Sequence, residues 1–177
     1  LTGLDIAPVR RGWSPNIEIQ FVTPEERRAV VAGLTGGKPL GPQVTRLVRR
    51  WRDTEYEKCL GLMATDPRSG TIINSVILIK DELPRHIRNA CIVEEIVQSL
   101  GLMNDDRTAR PSIFNDDQRY LDLTSHDEYL LRMLYDPRLR TGMAPATAAP
   151  PAIPPRRKRV ALSAPQRTPS ATSAAIG

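Results

Sequence analysis

The residues whose types and spacing could do chemistry are concentrated between Cys91 and Asp105, where Glu94, Glu95, Gln98, Asn104 and Asp105 follow one another closely. Glu94 and Gln98 are four apart, so on a helix they stand one turn above each other, with Glu95 beside them. This set of carboxylates and amides could hydrogen-bond a ligand or hold a hard cation weakly. With Glu95 as base, it could act on a water. Zinc prefers imidazole and thiolate, and the only histidines, His86 and His126, are too scattered to build a three-histidine site. Calcium accepts such oxygens but needs about six or more of them. No zinc and no other cofactor is therefore expected, with a weak hard-cation site as the open alternative. The favoured reading is a polar cluster in which Gln98 and Asn104, each able to donate and accept, satisfy one another and Glu94.

A helix must position these groups. At about 100° per residue, Ile92, Val93, Ile96, Val97 and Leu100 share an apolar face, and Glu94, Glu95, Gln98 and Ser99 share the opposite one. Gly101 stands where a left-handed cap is wanted, so a positive φ is expected there. Leu102 can then fold back, turning Asn104 and Asp105 toward the polar face.

Upstream, Asn16–Val22 alternates, with Ile17, Ile19 and Phe21 on one face of a half-buried strand. Thr23, Pro24 and Glu26 form a capping-box start for a helix that reaches about Leu34 and stops at Gly36–Gly37. Val44, Leu47, Val48 and Trp51 recur at helical spacing, with a strand as the alternative. Arg46, Arg49, Arg50 and Arg52 make a basic cluster there, read as a solvated face. Glu55–Met63 and the Ile/Val-rich Thr71–Lys80 read as strands of an antiparallel hairpin around the Asp66–Gly70 turn.

Residues 104–122 are dense in Asp and Asn but lack calcium-loop spacing, so solvated turns are expected. Thr124 or Ser125 caps a last helix with Asp127 or Glu128 three residues on. Tyr129, Leu130, Met133 and Leu134 are its expected buried stripe, and Asp136–Pro137 ends it. His126 reads as a surface residue.

Composition bounds the rest. The chain has 177 residues, is 40% hydrophobic and contains only eight aromatic residues, so aliphatic side chains must fill one core of ordinary size. The net charge of +5 belongs to the end of the chain: from Ala144 onward there are five basic residues and no acidic one. Residues 1–143 are therefore charge-balanced, and a specific nucleic-acid surface is not implied. Beyond Ala144 the chain is Ala, Pro, Ser, Thr and Arg, a composition that predicts disorder. The expected organisation is an irregular lead-in over 1–15, which Trp13 either docks on the core or leaves exposed, then a domain over 16–143 and a basic tail over 144–177. The two cysteines, Cys59 and Cys91, allow one disulfide or two buried thiols.

The frame Glu94-Glu95-x-x-Gln98-x-x-Gly101-Leu102-x-Asn104-Asp105 resembles the His-Glu-x-x-His-x-x-Gly-x-x-His segment of metzincin zinc peptidases. Glycine, leucine, the base-position glutamate and the trailing aspartate match; Glu94, Gln98 and Asn104 replace the three histidines. Pro111–Asn115 resembles the Met-turn segment, with Phe114 for the methionine, and Leu123–Tyr135 resembles the closing helix of matrix-type members. From about Cys59 to Met143 the chain is more similar still to a bacterial family of unknown function whose members include proteins read as exported lipoproteins. That family's words are Cys-x-x-Glu-Glu-x-x-Gln-x-x-Gly-Leu-x-Asn-Asp, Ser-Ile-Phe-Asn-Asp and Leu-Tyr-Asp-Pro.

The resemblance implies an α/β (α+β), metzincin-like fold, with a small mixed sheet packed on a central helix and a C-terminal helical portion. It places Thr71–Lys80 as the edge strand of a cleft, where a peptide or envelope protein could add by main-chain pairing. The implied function is a non-catalytic peptidase-like module; the alternative is a hydrolase with an altered site using Glu95. The implied location is exported, periplasmic or envelope-bound, with membrane attachment through an upstream lipid anchor or the basic tail. Export favours a Cys59–Cys91 disulfide, pinning the start of the central helix to the sheet.

Overall fold

The computed structural model describes residues 1–10, 12–35, 38–115 and 119–148. The expected helix stop at Gly36–Gly37, the acidic pair Asp116–Asp117 and the tail from residue 149 onward lie outside the described residues.

Strand β1 (Ile17–Val22) leads into α1 (Arg27–Thr35) and α2 (Pro42–Asp53); β2 (Cys59–Thr65) and β3 (Ile72–Lys80) follow as an antiparallel hairpin. Then come α3 (Arg85–Ser99), a single 3-10 turn at Ile113–Asn115, and α4 (Ser125–Leu134). A further helical turn, α5 (Pro145–Ala148), lies beyond the compact unit Leu1–Met143. The fold is thus mixed α/β, with a small three-stranded mixed sheet and five helices among the described residues.

Sheet order is β1-β3-β2, with β1 parallel and β2 antiparallel to β3. This corrects the expected position of Thr71–Lys80. The run richest in Ile and Val is the middle strand, hydrogen-bonded on both sides, because a strand covered on both faces and flanked on both edges tolerates the fewest polar groups. It offers no edge to a peptide.

Each face of the sheet has its own helical cover. Val22, Leu60 and Leu78 meet Val48 and Trp51 on one face, joined by Val30, Val31 and Val44. Ile77 and Ile79 meet Cys91 on the other, joined by Ile17, Ile19, Ile92 and Ile96. So α1 and α2 cover one face and α3 covers the other. Val97, Ile113, Phe114 and Leu131 form a third cluster on the far side of α3.

Burial on three sides explains several departures from the expected pattern. The central helix begins at Arg85, so Cys91 lies within it and not at its start. Glu95, Gln98 and Ser99 are buried, so the polar face is interior. Val22 is buried and Phe21 exposed, with the Arg88 guanidinium 5.7 Å from the Phe21 ring centroid. The segment Val44–Trp51 is helical, with Val48 and Trp51 inward and Leu47 exposed. In α4 the inward residues are Asp127 and Leu131, while Tyr129 and Met133 face solvent. The stripe was displaced because a carboxylate occupies a buried position that hydropathy assigns to the surface. Trp13 is exposed.

Candidate functional site

Helix α3 and strand β2 meet in register. Cys91 and Glu95, one turn apart, face Cys59 and Gly61, two residues apart on the same face of β2. The first pair is a disulfide with a Cα–Cα distance of 5.8 Å. In the second pair the carboxyl of Glu95 lies against the Gly61 backbone, in space that any side chain at 61 would need. Glycine is required here for close approach rather than for its dihedral freedom.

The Glu95 carboxyl is buried, and its Oε2 has no hydrogen-bond partner. Its pKa is pushed up to about 8, first by burial and then by the carboxylates of Asp105 and Glu57; the Gly61 N–H acts the other way. At neutral pH it holds its proton.

One turn further on, Gln98 Nε2 donates to Asp105 Oδ1 at 2.8 Å. Ser99 Oγ donates to the Glu95 carbonyl at 2.8 Å, which closes the buried side of the helix. The turn that returns Asp105 is the one expected: α3 ends at Ser99, Gly101 has φ 123°, and Leu102 packs back on the Val97 cluster. Arg107 Nη2 donates to Tyr56 Oη at 3.3 Å, so the loop reaches the approach to β2.

The structure therefore brings Glu95, Gln98 and Asp105 together. It leaves Asn104 on the exposed outer side of the loop and Glu94 half-buried. Gln98 bonds to Asp105, in place of the expected mutual pairing of Gln98 with Asn104. The zinc implied by the peptidase resemblance does not fit this arrangement: its three ligand positions carry a carboxylate and two amides, one of them exposed. Among the described residues no group of three or more His, Cys, Asp and Glu side chains is arranged to hold a metal ion.

Asp127 is the buried residue that sequence reasoning underrated. Its carboxylate accepts from Ser112 Oγ at 2.6 Å, Ile113 N at 3.1 Å, and Thr124 N and Oγ1 at 2.9 Å each. Burial opposes its charge, but the Ser112, Thr124 and Ile113 hydrogen bonds outweigh burial and hold its pKa below the usual carboxylate value. It fastens the 111–115 turn, whose Phe114 supports α3, to the start of α4. The capping-box spacing at Thr124 was a legible signal; the second half of the role, across 15 residues to Ser112, was not.

No curated protein and no solved structure matches the chain. A family described as protein of unknown function, DUF2927, matches residues 1–153, and the chain belongs to that family.

Proposed function

We propose that this domain is a non-catalytic, metallopeptidase-like module of the cell envelope that binds an extended peptide or envelope protein. The observation that carries the reading is the state of Glu95. A general base of a metallopeptidase faces a metal-bound water in its ionised form. Here the carboxyl is buried and turned onto Gly61, in surroundings that favour its protonated form, and the neighbouring Gln98 is engaged with Asp105. Such a group braces a helix against a strand.

The surrounding arrangement supports a metzincin-like frame. An antiparallel strand, β2, lies beside the glycine-ended helix α3; the buried 111–115 turn lies on the helix's far side, and α4 closes the domain. Among the described residues β2 pairs on one side only, so its outer edge is where a peptide would add a strand. The disulfide is in keeping with export to an oxidising compartment.

The test has two parts. Protein purified with added zinc and without chelator is analysed for bound metal and for cleavage of unstructured casein. No stoichiometric zinc and no cleavage are expected. Zinc-dependent cleavage abolished by Glu95→Gln would replace this reading with the hydrolase one. Separately, peptides selected on the protein from a displayed library should slow amide exchange in β2 and not in β3; protection confined elsewhere would reject the β2 edge.

A further inference from the structure

The parallel strands β1 and β3 end level with each other, Val22 beside Lys80. The helix following β1 packs on one face of the sheet and the helix following β3 on the other. In an open α/β sheet, ligands bind outside the carboxyl ends of the strands at such a point of divergence.

The residues at this point are unusual for a structural end. Lys80 is fully buried, and Arg27, in the first turn of α1, is 7% exposed. Two cations are rarely buried side by side without an anion to hold them. The carboxylates that accompany them are peripheral. Glu55, from the α2–β2 loop, lies 4.0 Å from Arg27 Nη1 and 3.9 Å from Lys80 Nζ, yet its side chain is 78% exposed. Glu82, from the loop after β3, pairs with Arg27 and is 37% exposed. Lys80 Nζ also donates to the Thr54 carbonyl. Arg27 Nε is buried with no hydrogen-bond partner. Burial pushes the Lys80 pKa down, with Arg27 and Lys58 adding to that effect and Glu55 and Glu57 opposing it.

We infer that the carboxyl ends of β1 and β3 carry a binding site for a compact oxyanion group, held by Arg27 and Lys80, with the Glu82 carboxylate occupying the position when no ligand is bound. The guanidinium offers a planar fork of donors suited to an oxyanion, and its unused Nε is one of them. Lys80 supplies a second charge from the sheet. Glu82, on a loop and partly exposed, can swing out; Glu55 then remains to balance Lys80. The site lies at the strand ends, apart from the Glu95–Gly61 contact, and does not depend on a peptide-binding role.

The probe is inorganic phosphate, read as the shift in melting temperature against sodium chloride of equal ionic strength. Removing the internal competitor by Glu82→Gln should tighten the apparent phosphate affinity about fivefold, the scale of one partly exposed ion pair. Adding Arg27→Met to Glu82→Gln should abolish the phosphate response, and Arg46→Gln, on the exposed face of α2, should leave it as in the parent protein. Should the Arg27 variant fail to fold, the comparison of parent with Glu82→Gln still decides. Equal phosphate responses in the parent and Glu82→Gln, no response in either, or a response that survives loss of Arg27 would each overturn the inference.

Discussion

The Glu95 carboxyl fills the space beside Gly61 that a side chain there would need: a methyl group at 61 would collide with Glu95 Oε2. The atom in the way is the end of a flexible side chain, so Gly61→Ala should displace the carboxyl rather than unfold the domain. Glu95 would then reach solvent and titrate closer to an ordinary carboxylate. Carboxyl carbon chemical shifts followed by NMR against pH would show its midpoint falling from about 8 toward the ordinary glutamate value of 4.5. An unchanged midpoint would show that Gly61 does not confine it.

Wild-type stability should fall as pH rises between 4.5 and about 8 because of Glu95. In that window the unfolded chain releases the proton that the native state keeps, so unfolding gains free energy at up to roughly 1.4 kcal/mol per pH unit. Below 4.5 both states hold the proton and the contribution is complete. Glu95→Gln removes the titration, so its denaturation midpoint should decline less than wild type over this range. Parallel urea curves at pH 5, 6, 7 and 8 measure the difference; coincident slopes would place the pKa elsewhere.

Asp127 should act in the opposite sense. Its depressed pKa means that its contribution is present above the unfolded value of 3.8 and is lost as pH falls through the lower native value. Asp127→Asn keeps the shape but replaces a carboxylate oxygen by a donor facing other donors. A loss of about 3 kcal/mol is expected, the scale of several charge-assisted hydrogen bonds at a buried site. Chemical denaturation at neutral pH gives the value.

The Cys59–Cys91 bond joins residues 32 apart. In the chain-entropy account, closing such a loop is worth roughly 3–4 kcal/mol. Reduction should lower the melting temperature substantially, and thiol titration of the unfolded, unreduced protein should find no free thiol at either position.

Leu131 and Tyr129 separate the two readings of α4. Leu131 is 2% exposed and Tyr129 66% exposed. Leu131→Ala should cost about 3 kcal/mol, within the usual range for a buried leucine, and Tyr129→Ala less than about 0.5 kcal/mol.

The elements were readable where one local signal sufficed. The strand at Ile17–Val22 and the positive φ of Gly101 each announce themselves within a few residues, and each is found, though Phe21 leaves the expected face. Thr23 and Glu26 do bond to each other, but α1 begins only at Arg27, three residues after the expected first helical position. The candidate cluster was readable as a group of residues but not as an environment. Nothing near Glu95 in the chain says that Gly61 will lie against it, and the burial of Gln98 and Ser99 depends on clusters on two other sides of α3. Period-3.6 reasoning assumes that a polar face meets water; a helix enclosed on several sides breaks that assumption. The same holds for β3, whose place in the middle depends on β1, more than 50 residues earlier, pairing with it.

That distant pairing sets an order of assembly. Thr65 and Ile72 meet across a short turn, whereas Ile17 must find Ser75 from far along the chain. Loop closure costs more for the longer excursion and is repaid only once the partner surface exists. The β2–β3 hairpin therefore supplies the template, and β1 docks onto it late. Substitutions in β1 should mainly speed unfolding, and substitutions in the hairpin should mainly slow folding.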